Sequence, residues 1–90
     1  MISKQLTINN RTGLHARPIS AFVQKAEKYQ AQIMIHYKEK EVNAKSIMGV
    51  MSLGVGPGEA ITLQADGEDE EEAIEELSAF IKEELSTKAK

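Results

Sequence analysis

Apolar and polar residues alternate along three stretches of the chain, 2–8, 32–37 and 60–65. Alternation with a period of two predicts a strand with one buried face. Between the first two stretches, apolar residues recur at i, i+3, i+4 and i+7 within 16–29, and after the last stretch a second apolar stripe runs through 69–85. That spacing predicts two helices, each with one apolar face turned towards a core.

Turn and cap signals complete the order of the elements. A tight turn is predicted before 40–43, which then returns as the second arm of a hairpin. A short helix is predicted within 45–54, with Ser46 as its N-cap and a glycine as its stop. Asp69 with Glu72 predicts a capping box at the start of the last helix. The resulting order is β-α-β-β-α-β-α, an α+β two-layer sandwich of four strands with helices on one face.

The short helix carries apolar residues on every side, namely Ile47, Met48, Val50, Met51 and Leu53. A helix this short at the surface cannot bury all of these side chains. We therefore expect some of Ile47, Met48 and Met51 to be exposed, and at least the two methionines. Thioether side chains adapt to differently shaped partners, so these residues are a candidate contact patch.

A histidine stands at the start of the first predicted helix. Pro18 suits the first turn, which puts His15 at or near the N-cap and Arg17 two residues further on. A helix start offers unpaired N–H groups and a positive dipole end, which favour an anion. A neutral imidazole is a nucleophile, so His15 could carry a phosphoryl group whose oxygens Arg17 helps to hold. Position alone supports equally a histidine that merely caps a helix.

Composition narrows the range of functions. The chain of 90 residues predicts a single domain, 1–90, whose tail, 86–90, we expect to fray. Without cysteine there is no thiol nucleophile, and we expect no metal site and no cofactor. A net charge of −3 with two Phe, two Tyr and no Trp argues against direct nucleic-acid binding. No apolar run suits a signal peptide or a membrane span, so we expect a cytoplasmic protein without membrane insertion.

Two long motifs favour the phosphoryl-carrying role of His15 over a role as a helix cap. Thr12-Gly-Leu-His-Ala-Arg-Pro18 and Val42-Asn-Ala-Lys-Ser-Ile-Met-Gly-Val-Met-Ser-Leu-Gly54 stand in register. Together they resemble HPr, the histidine-containing phosphocarrier family of the bacterial phosphoenolpyruvate-dependent sugar phosphotransferase system. The resemblance covers nearly the whole chain. It implies the HPr-like open-faced sandwich, in which three helices cover one face of a four-stranded antiparallel sheet.

The resemblance also implies a carrier rather than an independent catalyst. Enzyme I, charged by phosphoenolpyruvate, would phosphorylate His15 on Nδ1, and His15 would pass the phosphoryl group to sugar-specific enzyme IIA domains. Arg17 matches the phosphate-stabilising arginine of the family, and Pro18 matches its helix-start proline. We expect a monomer whose partners contact two exposed areas. Their residues are Ser20 and Gln24 on the first helix and Ile47, Met48 and Met51 on the short helix.

Ser46 matches the regulatory serine of the Gram-positive type of HPr. The resemblance implies that an ATP-dependent HPr kinase/phosphorylase modifies Ser46, and that the product binds a catabolite control protein in carbon catabolite repression. Three other interpretations stay open. A relative that serves a nitrogen-related phosphotransferase branch is one, although the sequence around Ser46 favours the sugar type. A purely regulatory HPr paralogue would act through Ser46 alone, although the presence of His15 speaks against it. A small α+β binding module without phosphotransfer would bind its ligand regardless of His15.

Overall fold

The structure of the chain is a computed structural model that describes residues 1–8, 16–56 and 58–84. Its strands and helices follow the predicted order. In chain order they are β1 (Ile2–Thr7), α1 (Ala16–Ala26), β2 (Gln32–Tyr37), β3 (Lys40–Asn43), α2 (Ile47–Met51), β4 (Ala60–Asp66) and α3 (Glu70–Glu84). The tail predicted to fray, 86–90, lies outside the described residues.

The four strands form one antiparallel sheet in the order β1-β4-β2-β3. In the middle of the sheet, Leu63 of β4 lies opposite Lys4 of β1 on one side and Ile35 of β2 on the other. β1 and β3 are the two edges, each paired on one side only. The sheet therefore confirms the predicted α+β fold of the HPr-like type.

The core lies between the sheet and the helices, which cover one face of it. The residues that line it are those that the periodicity predicted to face inwards. They are Ile33, Ile35 and Tyr37 of β2, Ile61, Leu63 and Ala65 of β4, Ile19, Phe22, Val23 and Ala26 of α1, and Ala73, Ile74, Leu77 and Ile81 of α3. Phe80, which belongs to the same stripe of α3, is only partly buried, and its ring centroid lies 6.2 Å from that of Phe22.

The start of α3 differs from the predicted capping box. The Asp69 carboxylate accepts the backbone N–H groups of Gln30 and Ala31, both at 2.9 Å, in the connection between α1 and β2. Glu70 supplies the return interaction, because its carboxylate accepts the N–H of Gly67 at 2.9 Å. The reason is a close approach of the two loops, since a Cβ on Gly67 would lie 2.6 Å from the Cα of Ala31. Asp69 thus joins the end of α1 to the start of α3.

Candidate functional site

The backbone of α1 begins at Ala16, so Pro18 is its third residue and falls within the first turn, as predicted. A proline there costs no helical hydrogen bond, because the first N–H groups of a helix have no partner within it. The first turn also contains no acidic residue that would compete with an anion. His15 lies outside the described residues, and of Arg17 and Pro18 only the backbone is described. The roles predicted for these three side chains stay predictions.

Contacts with α3 hold α1 in place. The Lys25 ammonium group lies 3.1 Å from the Glu76 carboxylate, and the Tyr29 hydroxyl donates to the same carboxylate. Together with the buried face of the helix, these contacts fix its position on the sheet. On the opposite side, Ser20 is half-buried and Gln24 is exposed. The structure therefore leaves part of the predicted α1 contact area open to solvent.

Ser46 is the N-cap of α2, as predicted. Its backbone is extended, with φ −116° and ψ 114°, and its Oγ accepts the N–H of Gly49 at 3.1 Å. The helix itself spans only Ile47–Met51, so it ends earlier than the predicted stop at Gly54. Past its end, Gly54 adopts φ +66°, a left-handed conformation that glycine reaches at little cost. The Ser46 hydroxyl therefore has a structural role besides any regulatory one.

The outward face of α2 is apolar. Met48 is 81% exposed, Met51 47% and Ile47 41%, whereas Val50 and Leu53 are buried in the core. We call Ile47, Met48 and Met51 the methionine patch. The exposure predicted from the length of the helix is thus confirmed, and binding of partners to the patch stays a prediction. Since α1 and α2 pack against each other, the predicted contact residues lie on neighbouring helices.

The clearest pKa displacements lie where α3 begins, away from α1 and α2. The backbone N–H of Gln30 lowers the pKa of Asp69, and that of Gly67 lowers the pKa of Glu70. The N-terminal ammonium group of Met1 donates to Glu70 at 3.0 Å, which raises the pKa of the amine. These groups are stabilised in their charged forms, which makes them anchors of the fold rather than acids or bases poised for proton transfer.

Neither a metal centre nor a membrane span is found in the described part of the chain. No cluster of three or more histidine or acidic side chains within 1–8, 16–56 and 58–84 could hold a metal ion. Across the same residues, no helix has the length and apolar character needed to cross a bilayer.

The deciding comparison concerns almost the whole sequence. Residues 2–83 match the sequence model of the family described as PTS HPr component phosphorylation site. The chain belongs to the HPr family. Proteins of the HPr family are phosphocarriers and not independent catalysts, which agrees with the prediction for this chain.

Relatives within the HPr family are similar along nearly their full length. The HPr-like protein Crh of Halalkalibacterium halodurans is 51% identical over 84 residues, which cover 93% of this chain and 100% of the relative. The crystal structure of HPr-C-His from Thermoanaerobacter tengcongensis superposes with a TM-score of 0.92 at 48% identity, covering 99% of this chain and 100% of that one. Both the phosphocarrier and the Crh branch of the family are therefore close in sequence.

The expectation that the chain is a monomer is wrong. The crystal structure of Crh from Bacillus subtilis, 45% identical with a TM-score of 0.76 over 97% of this chain and 100% of that one, is described as a dimer with a swapped domain. An HPr crystal structure from Thermoanaerobacter tengcongensis, 51% identical with a TM-score of 0.76 over 91% and 94% of the two chains, is also a dimer. The hydrophobic pattern of one chain determines its inward faces but does not determine how copies exchange segments or pair.

Proposed function

We propose that this chain is a phosphoryl carrier that accepts a phosphoryl group from phospho-enzyme I on His15 and passes it to sugar-specific enzyme IIA domains. The observation that carries the proposal is the match of residues 2–83 to the HPr phosphorylation-site family, a range that includes His15. The single domain and the cytoplasmic location predicted from the sequence are part of the same proposal.

The backbone of α1 supports this role for the residue that precedes it. The helix begins at Ala16, and its unpaired first N–H groups and positive dipole end favour negative charge nearby. A nearby positive dipole end also favours neutral imidazole over imidazolium, which keeps His15 nucleophilic. Because no acidic residue stands in the first turn, a phosphate there would meet no repulsion from that turn.

The transfer proceeds through two displacements at phosphorus. A ring nitrogen of His15 attacks the phosphoryl group, a P–N bond forms, and the bond to the donor breaks. The acceptor on the IIA domain then attacks the same phosphorus, and the P–N bond to His15 breaks. Arg17 would offer its guanidinium fork to the phosphoryl oxygens during both steps. These two displacements require no oxidation, metal or further cofactor.

We further propose that partners bind the exposed side of α1, at Ser20 and Gln24, together with the methionine patch. The patch is suited to this because its side chains are apolar, exposed and adaptable, while Val50 anchors the same helix in the core.

Ser46 is the proposed regulatory site. Phosphorylation by an ATP-dependent HPr kinase/phosphorylase would place about −1.5 to −2 units of charge beside the methionine patch without removing a core side chain. Its oxygens could still accept the N–H of Gly49, so the fold should tolerate the modification. An acidic partner surface would be repelled and a basic one attracted, which would connect the chain to carbon catabolite repression through a catabolite control protein.

A second candidate function is regulation alone. The similarity to Crh of Halalkalibacterium halodurans, at 51% identity, favours it. A regulatory paralogue would carry phosphate on Ser46 and none on a histidine. His15 is the residue of this chain that separates the two candidates.

Mapping the phosphorylated residue tests both candidates. The chain and its His15→Ala variant are incubated with phosphoenolpyruvate and enzyme I, and separately with ATP and HPr kinase. The carrier function predicts acid-labile phosphate on His15 in the first reaction, absent from the variant, and acid-stable phosphate on Ser46 in the second. Phosphate on serine without phosphate on histidine would favour the regulatory paralogue. No label in either reaction, with both enzymes active on a control protein, would contradict both candidates.

A further inference from the structure

The methionine patch contains Met48, the most exposed of the four methionines. The chain has four methionines and no cysteine, so thioethers are its only sulfur groups. Met48 is 81% exposed and Met51 47%, and the two lie three residues apart on one short helix. Met34, by contrast, is half-buried on β2. Met1 is also exposed, at 70%, but it lies outside the patch, beside Gln64 and Glu70.

We propose that Met48 and Met51 form an oxidation site for small hydroperoxides, and that their oxidation weakens the binding of phosphotransfer partners. The proposal rests on the function proposed above. In each step the thioether sulfur takes one oxygen atom from the peroxide O–O bond, so that methionine becomes the sulfoxide and hydrogen peroxide becomes water. A thiol-dependent methionine sulfoxide reductase reverses the step: the sulfoxide becomes the thioether again, its oxygen leaves as water, and two thiols are oxidised to a disulfide.

Exposure explains why these two sulfurs would react without loss of the fold. A peroxide must reach the sulfur atom, and neither Met48 nor Met51 has the cover that Met34 has. The residues that hold α2 on the core are Val50, 1% exposed, and Leu53, 2% exposed, and neither contains sulfur. Oxidation should therefore change the surface and leave the packing beneath it intact.

Oxidation changes the apolar character that makes the methionine patch suitable for binding partners. A sulfoxide has a strongly polar S–O bond, which must give up its hydration when a partner covers it. Two such groups beside Ile47 would convert an apolar patch into a largely polar one. Losing the buried apolar area of even one methionine predicts a KM for enzyme I transfer that rises about tenfold or more.

The experiment compares each protein with itself before and after oxidation. The folded chain is treated with dilute hydrogen peroxide, the peroxide is removed, and peptide mass mapping locates the sulfoxides. Transfer from phosphoenolpyruvate-charged enzyme I to His15 then gives KM for treated and untreated protein. The double variant Met48→Leu, Met51→Leu keeps an apolar patch without oxidisable sulfur there. Met34→Leu is the control, since it removes a methionine outside the patch.

The proposal predicts that Met48 and Met51 become sulfoxides before Met34 does and that the circular dichroism spectrum stays unchanged. It also predicts a raised KM in the wild type and in Met34→Leu. The ratio of treated to untreated KM should stay near one in the double variant, and the reductase should restore the wild type. Preferential oxidation of Met34, an unchanged wild-type KM, or an equal rise in the double variant would overturn the proposal. An untreated chain that accepts no phosphate from enzyme I would contradict the proposed function and with it the effect of oxidation on that transfer.

Discussion

Replacing Ser46 by alanine should destabilise the protein through the loss of one cap. The Ser46 Oγ accepts the Gly49 N–H at 3.1 Å, and alanine leaves that donor at the start of α2 without its side-chain partner. Ser46 is half-buried, so water replaces the lost acceptor only in part. Loss of a serine N-cap costs about 1 kcal/mol. For a domain of this size that corresponds to a fall in Tm of about 4–8 °C.

The matched control for this prediction is Ser52→Ala at the other end of the same helix. The Ser52 hydroxyl donates to the carbonyl oxygen of Gly49 at 2.7 Å and is exposed. Water can replace this bond, so the free energy of unfolding should change by less than about 0.5 kcal/mol. A third variant, Ser46→Asp, retains an acceptor at the N-cap and should lie close to the wild type.

Urea denaturation followed by circular dichroism measures all three variants under one condition. The expected order of stability places wild type, Ser46→Asp and Ser52→Ala together, with Ser46→Ala clearly below them. If Ser46→Ala lost no more stability than Ser52→Ala, the Ser46 hydroxyl would not stabilise α2 as its N-cap. The regulatory role of the hydroxyl would then have to be judged without a structural contribution.

The remaining predictions concern the α3 start and the first helix. Gly67→Ala should lower Tm by several degrees, since its Cβ would lie 2.6 Å from the backbone of Ala31. The control Gly56→Ala, whose Cβ would meet nothing within 4 Å, should leave Tm unchanged. Thermal unfolding of the two variants measures the difference. Backbone N–H groups lower the pKa of Asp69 below its ordinary value of 3.8, so its stabilisation is complete above that pH and is lost as the pH falls through the lowered value. The stability difference between wild type and Asp69→Asn, measured by urea denaturation, should accordingly shrink below about pH 4, and a difference that grows there would contradict the assignment. Arg17→Ala should keep the fold but slow transfer through His15 roughly tenfold or more, and an unchanged rate in single-turnover labelling would remove Arg17 from the mechanism.

The element order and the buried faces follow from local pattern. Alternation identified Ile33, Ile35 and Tyr37 as one face of β2, and all three are buried. The excess of apolar residues on a short helix predicts that Met48 and Met51 are exposed, and both are. Each of these predictions depends on residues within a few positions of one another, where periodicity carries the information.

Contacts between distant parts of the chain were not accessible from pattern. The spacing of acids suggested that Asp69 caps its own helix, yet its carboxylate binds the N–H groups of Gln30 and Ala31. That contact depends on how closely Gly67 approaches Ala31, which requires the packed fold. The prediction of a monomer was wrong for a related reason, because the oligomeric state depends on how the surfaces of separate copies meet. The role of His15 depends on its motif and on the family, and it stays a prediction.

Transfer onwards from the chain tests the carrier role most directly. The chain is loaded with labelled phosphate by enzyme I and phosphoenolpyruvate, enzyme I is removed, and an enzyme IIA domain is added. For a phosphoryl carrier, label should leave His15 at the rate at which it arrives on the IIA domain, with little free phosphate. Label that never reaches His15, or that leaves it only by hydrolysis while the IIA domain stays unlabelled, would rule out the carrier role.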